Sequence, residues 1–62
     1  MRKTFEIEVG MELRKGGYKR GKYLVNTTDD TKAIEIAKQN FWKSLGKPDG
    51  LLYIVYCFEQ RV

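Results

Sequence analysis

The sequence contains no histidine and only one cysteine and one proline among its 62 residues. Histidine is the commonest general base and a frequent metal ligand, so its absence removes the usual starting point for acid–base or metal chemistry. The single cysteine, Cys57, excludes an internal disulfide, which argues against a disulfide-stapled secreted domain and favours a reducing compartment. Cys57 lies in an apolar segment and is interpreted as a small strand residue, because a reactive thiol needs an electropositive, accessible setting.

Long apolar segments are also missing. The longest apolar run covers residues 51–58, which is far too short to span a bilayer. The N-terminal stretch MRKTFEIEVG lacks the apolar core of a signal peptide. We therefore expect no membrane association and a cytoplasmic location. A chain of this length forms one domain, here residues 1–62, and has little room for an enclosed active site.

No arrangement of residues predicts catalysis. Glu6 and Glu8 are two positions apart on one strand face, but with Glu12 they are more simply a hydrated polar face. Residues 15–21, KGGYKRG, contain glycine and lysine without the spacing of a phosphate-binding loop, and they do not precede a helix. The sequence therefore predicts a protein that is not an enzyme and has no cofactor and no metal site.

Alternating residues predict two strands joined by a tight turn. Residues 4–13 alternate between apolar and polar or small side chains, which is typical of a half-buried strand. Gly16 and Gly17 favour a hairpin turn. A second strand over residues 18–27 places Tyr23 and Val25 on one face, and Gly21 is expected to mark a bulge.

A helix and a third strand complete the chain. Thr28 or Asp29 is a suitable N-cap, and Gly46 and Pro48 are typical of a helix end. The predicted apolar stripe consists of Ala33, Ile34, Ala37, Phe41 and Leu45. Residues 51–60 predict a strand that is apolar on both faces. Leu52, Ile54, Tyr56 and Phe58 are expected to face the helix, and Tyr53, Val55 and Cys57 the other side.

The element order ββαβ predicts the fold. A right-handed crossover from the second strand to a parallel third strand places the first strand in the middle. We expect an α+β fold: a three-stranded antiparallel sheet of order 2-1-3 with one helix packed on one face.

The segment LRKGGYKRGKYL is the main candidate for a binding site. Five of the twelve basic residues lie within ten positions that contain no carboxylate. Such a two-stranded finger suits phosphate contacts, with tyrosines available to stack on bases. Edge lysines also protect a sheet from aggregation, so a purely protective role stays open. The candidate partner- or nucleic-acid-binding residues are Arg14, Lys15, Tyr18, Lys19, Arg20, Lys22 and Tyr23.

A secondary interface is a further possibility. Trp42 lies at the border of the apolar stripe, where tryptophan either anchors an interface or covers a small core. Tyr53 and Val55 are candidates for a dimer or partner contact, or for packing against the stems of the second strand. The chain is expected to be a monomer or a weak homodimer.

In architecture, the chain resembles the very small single-domain accessory proteins of phages and mobile elements, including anti-CRISPR proteins. The segments that carry the resemblance are TFEIEVGMEL, RKGGYKRGKY, NTTDDTKAIEIAK and LLYIVYCFEQ. The resemblance implies an inhibitor or adaptor that blocks nucleic-acid machinery by binding one of its proteins, and the basic hairpin is expected to make this contact. The alternatives are direct DNA or RNA binding by the same hairpin and a structural subunit that associates through Tyr53 and Val55.

Overall fold

A computed structural model describes residues 2–60. It contains strand β1 (Lys3–Leu13), strand β2 (Tyr18–Thr27), helix α1 (Asp30–Ser44) and strand β3 (Gly50–Gln60). The strand order is β2-β1-β3, and both outer strands are antiparallel to β1. The predicted α+β fold and its strand order are therefore confirmed.

The core lies between the helix and one face of the sheet. Every second residue of β1 from Phe5 to Met11 is buried, as its alternation predicts. The helix contributes two alanines, which let it approach the sheet closely, and Phe41, which fills the remaining space. The buried apolar residues are Phe5, Ile7, Val9, Met11, Val25, Ala33, Ala37 and Phe41.

Both predicted helix ends are present. Of the two N-cap candidates, Asp29 occupies the position, and its Oδ1 accepts a hydrogen bond of 2.8 Å from the Lys32 backbone N–H. Gly46 follows the helix with a φ of 82°, a left-handed conformation that glycine adopts without steric cost. The cap fixes where the chain leaves β2, and the glycine fixes where it turns toward β3.

The N-cap hydrogen bond makes a direct prediction. Asp29→Ala is expected to lower the free energy of unfolding by about 1 kcal/mol, because one helix N–H loses its partner. Thr28→Ala, at the other candidate position, is the matched control and is expected to change it far less. Urea denaturation followed by circular dichroism measures both. Equal losses in the two variants would contradict the assignment of Asp29.

The prediction of which β3 side chains face the helix is partly wrong. Leu52 and Ile54 pair with core residues of β1 and face the helix as expected. A register shift between Glu8 and Val9 then leaves Val55 without a partner on β1, which is a β-bulge. The extra residue reverses the alternation, so Cys57 pairs with Ile7 on the helix face.

Tyr56 and Phe58 consequently lie on the opposite face from the one predicted. The apolar run of β3 carries no alternation that could reveal the extra residue.

The expected bulge at Gly21 is absent, since Gly21 pairs in register with Val9. A Cβ at position 21 would lie 2.9 Å from Cδ1 of Phe41. Glycine therefore serves here to make room for a core ring.

Candidate binding surface

The sheet face opposite the helix, called here the open face, carries three different rows of side chains. Residues paired across neighbouring strands share a face, so the registers define each row. One row has two basic residues at its centre, the central row is acidic and the third is mainly aromatic. The rows are Tyr18, Arg20, Lys22 and Leu24 on β2, Glu6, Glu8 and Glu12 on β1, and Leu51, Tyr53, Tyr56 and Phe58 on β3.

Hydrogen bonds and stacking order the aromatic row. The Tyr56 hydroxyl donates to Oε2 of Glu6 at 2.7 Å, and Gln60 Nε2 donates to Oε1 of the same carboxylate at 3.0 Å. The Tyr56 and Phe58 rings stack with centroids 5.5 Å apart. Tyr53 covers Gly10, where a side chain would clash with its ring. These contacts pre-order the surface, which lowers the entropy lost on binding.

The hydrogen bond to Glu6 raises the pKa of Tyr56 to about 12, with further contributions from desolvation and nearby negative charge. The hydroxyl has a pKa of 10.0 in the absence of these interactions. Because the folded-state pKa is the higher one, the associated stability is complete below about pH 10 and is lost as the pH rises toward 12.

Alkaline titration is expected to show a late tyrosine ionisation step, near pH 12 rather than 10.0. Absorbance of tyrosinate measures it, and Tyr56→Phe is expected to remove the late step. Glu6→Gln is expected to move that step to lower pH. A late step that persists in Tyr56→Phe would contradict the assignment.

The predicted hairpin residues do not share one face. Arg14 and Lys15 lie in the turn between β1 and β2. Lys19 pairs with Met11, so it lies on the helix face of the sheet, whereas Arg20 and Lys22 lie on the open face. The hairpin is also not a separate finger, because β3 extends to the same end and Gly50 pairs with Leu13.

The two predicted tyrosines of the hairpin have different environments. Tyr18 is 65% exposed and lies under the Arg20 guanidinium, 5.5 Å from its ring centroid. Tyr23 is half-buried on the helix face and contacts Phe41 edge to face, with ring centroids 6.4 Å apart. Tyr18 is thus available to a partner, and Tyr23 belongs to the packing around the core.

Folding brings carboxylates to two of the hairpin arginines. Arg14 Nε lies 3.0 Å from Oδ2 of Asp49, and Arg20 Nη1 lies 3.6 Å from Oε2 of Glu8. The Arg14–Asp49 pair is exposed on both sides and contributes little stability, and both arginines remain accessible. Among residues 2–60, Lys15, Lys19 and Lys22 form no salt bridge. Residues 14–23 contain no acidic residue, but folding places Asp49 and Glu8 beside two of their arginines.

The end of the helix adds two cations that the sequence analysis did not include. The connection from α1 returns to the hairpin turn, where the Arg14 N–H donates to the Asp49 carbonyl at 3.2 Å. Lys43 and Lys47 therefore lie at the same end of the molecule as the turn. The 2-1-3 order itself contained this signal, since β3 has to start beside the end of β1. The basic end is defined as Arg14, Lys15, Lys19, Arg20, Lys22, Lys43 and Lys47.

The residues of the predicted secondary interface are separated. Trp42 is half-buried against the core, and its Nε1–H donates to the Pro48 carbonyl at 3.0 Å, with Lys47 Nζ 6.0 Å from its ring centroid. Tyr53 lies on the open face, and Val55 is exposed at the bulge. Trp42 is accordingly a core cover, while Tyr53 and Val55 remain accessible.

The remaining chemical groups are few. Burial, followed by the charge of Asp30, raises the pKa of the Cys57 thiol, so it stays protonated at neutral pH. No three His, Cys, Asp or Glu side chains within residues 2–60 are grouped to hold a metal ion. In that same part of the chain, no helix has the length and apolar character needed to cross a membrane.

Comparisons with protein-family models, curated proteins and solved structures found no match to this chain.

Proposed function

We propose that this protein is a non-enzymatic inhibitor or adaptor that binds a protein of nucleic-acid machinery through its open face and basic end. The observation that carries the proposal is the uncovered face itself, which combines exposed apolar side chains with ordered charges. Tyr18, Leu24, Leu51 and Phe58 are each at least 50% exposed. Aromatic residues and arginine are enriched in protein interfaces, where a few of them provide most of the affinity.

The acidic row favours a protein over nucleic acid on this face. Glu6, Glu8 and Glu12 run along the central strand between the other two rows. A phosphate backbone laid across the sheet would meet these carboxylates, and like charges at close range are repulsive. A protein surface can instead present cations to the acidic row and apolar groups to the aromatic row.

The basic end extends this contact toward an acidic patch of the partner. Charges at the edge of an interface accelerate association and exclude wrong partners more than they add affinity. The architectural resemblance to anti-CRISPR and related accessory proteins supports the inhibitory role. In that role, a small rigid protein covers a surface that the partner needs for its own function.

Paired baits test this proposal. The wild-type chain, a face variant (Leu24→Ser with Phe58→Ser) and a control (Ile36→Ser, on the exposed side of the helix) are immobilised in parallel. A genuine partner is retained by wild type and control and lost by the face variant. Its purified form is then expected to bind the face variant at least about tenfold more weakly, equivalent to 1.4 kcal/mol. Equal binding to all three would refute the proposed surface.

Direct nucleic-acid binding is the second candidate, and the seven cations of the basic end favour it. Fluorescence anisotropy of labelled DNA and RNA over a salt series tests it. The variant Lys15→Ser, Lys19→Ser, Arg20→Ser and Lys22→Ser loses four charges from the basic end. The control Arg2→Ser, Lys3→Ser, Lys32→Ser and Lys38→Ser loses four charges elsewhere.

The salt dependence separates site binding from an effect of net charge. If the basic end binds duplex DNA, the log–log salt slope falls by about 0.9 for each phosphate contact removed, in the first variant only. Equal losses in both variants would mean that only net charge matters. No binding by wild type near physiological salt would exclude this second candidate and leave the protein-binding proposal intact.

A further inference from the structure

The two edges of the sheet differ in how they are protected. Strand β2 has Lys19, Arg20 and Lys22 along its exposed edge. Strand β3 has no charged residue between Gly50 and Phe58 and no proline. An edge strand with free backbone groups and no charge or proline is a template for pairing with another strand. Along β3, only the bulge at Val55 interrupts the regular strand. The edge of β3 is thus the one available for pairing.

We propose that a second copy of this chain pairs antiparallel with β3 around a two-fold axis beside Val55. The two sheets join into one of six strands, with both helices on the same side. The contact is isologous, because each copy supplies the same strand. The contact uses the edge of the sheet rather than the open face, so the dimer and the proposed function can be tested independently.

The faces of β3 match in this arrangement. With the axis between Val55 and Tyr56, Tyr53 lies opposite Phe58 of the second copy, and both belong to the open face. Ile54 lies opposite Cys57 of the second copy, and both belong to the helix face. Antiparallel pairing requires partners to share a face. The aromatic rows of the two copies then form one continuous surface.

Charges on the helix favour a second copy over an unrelated strand. Glu35 and Lys38 lie on the flank of the helix above β3, in the groove that Trp42 and Leu52 also line. Trp42 lies beside Leu52, and Asp30 lies near enough to Cys57 to affect its pKa.

The helix therefore runs opposite to β3, and its middle is level with Val55. A two-fold axis there brings Glu35 of each copy toward Lys38 of the other. Within residues 2–60, neither side chain forms a salt bridge in the single chain. An antiparallel copy places a lysine near Glu35 and a glutamate near Lys38 at the same time. A neutral strand from another protein would supply neither charge.

Sedimentation velocity of the full chain from micromolar to millimolar concentration tests the pairing. The wild type is expected to change from monomer to dimer across this range. Val55→Lys puts like charges near the axis and is expected to raise the dimer dissociation constant at least about tenfold. Leu24→Lys makes the same change on the already protected edge and is expected to leave it unaltered. Circular dichroism checks that each variant is folded.

A charge exchange on the helix surface gives a test that does not touch the strand. Glu35→Lys is expected to weaken the dimer, and Glu35→Lys combined with Lys38→Glu to restore it to the wild-type level. A monomer at every concentration would overturn the proposal, as would a dimer indifferent to Val55→Lys. Failure of the double variant to recover would overturn the two-fold axis at the bulge.

Discussion

Phe41→Ala is expected to lower the free energy of unfolding by about 4 kcal/mol, the range found for removal of a buried aromatic side chain. Phe41 is 3% exposed. The buried residues of α1 are two alanines and Phe41, so Phe41 is the one large side chain that this helix contributes to the core. It also contacts the Tyr23 ring and fills the space left by Gly21. A chain of this size has a total stability of only about 3–9 kcal/mol. The variant is therefore expected to lose about half or more of the stability of the fold.

Urea denaturation followed by far-ultraviolet circular dichroism and by Trp42 fluorescence measures this loss. Ile36→Ala is the matched control, because Ile36 is in the same helix but is 41% exposed. It is expected to change stability by no more than about 0.5 kcal/mol, as surface substitutions usually do. Similar losses in both variants would show that helix propensity, rather than the packing of Phe41, determines stability.

Much of the fold could be predicted because the sequence contains strong local signals. The alternation in β1 identifies its buried face without reference to the rest of the chain. Thr28 or Asp29 marks the start of the helix, because their side chains can accept a hydrogen bond from a free helix N–H. Gly46 marks its end through a left-handed conformation that few other residues favour. Once these elements are placed, chain connectivity leaves the 2-1-3 order as the natural arrangement.

The bulge at Val55 could not be predicted because it depends on pairing with β1. Residues 51–58 are apolar at every position, so shifting one residue does not expose a polar side chain that would reveal the change. The prediction of a bulge at Gly21 was wrong because the signal has two meanings. A glycine within a strand is typical both of a bulge and of a close contact, and only the position of Phe41 distinguishes them.

The candidate site was predictable as a set of cations but not as a surface. The sequence places five basic residues together, yet their assignment to two faces and the turn depends on register. Asp49 and Glu8 are distant in sequence from the arginines that they contact. Lys43 and Lys47 join the basic end only because the chain returns from the helix to the hairpin turn. The acidic and aromatic rows of the open face likewise exist only once three strands are aligned.

Gly50→Ala is expected to lower the free energy of unfolding by about 1–2 kcal/mol. A Cβ at position 50 would lie 2.5 Å from the Glu12 carbonyl oxygen and 3.2 Å from Cα of Leu13. Both are backbone atoms of β1, so the strands have to move apart where β3 begins, and overpacking of this kind typically costs about 1–3 kcal/mol. The lower entropy of the unfolded alanine chain offsets part of this, by about 0.4–1 kcal/mol.

Gly10→Ala is the comparison that isolates the backbone clash. A Cβ at Gly10 also meets an obstacle, but that obstacle is the far end of the Tyr53 ring, which rotates away more easily than a strand moves. Gly10→Ala is accordingly expected to cost less than Gly50→Ala in the same urea titration. Equal or reversed costs would mean that Tyr53 is held in place as firmly as the backbone. The part of the open face around Tyr53 would then be a rigid part of the fold.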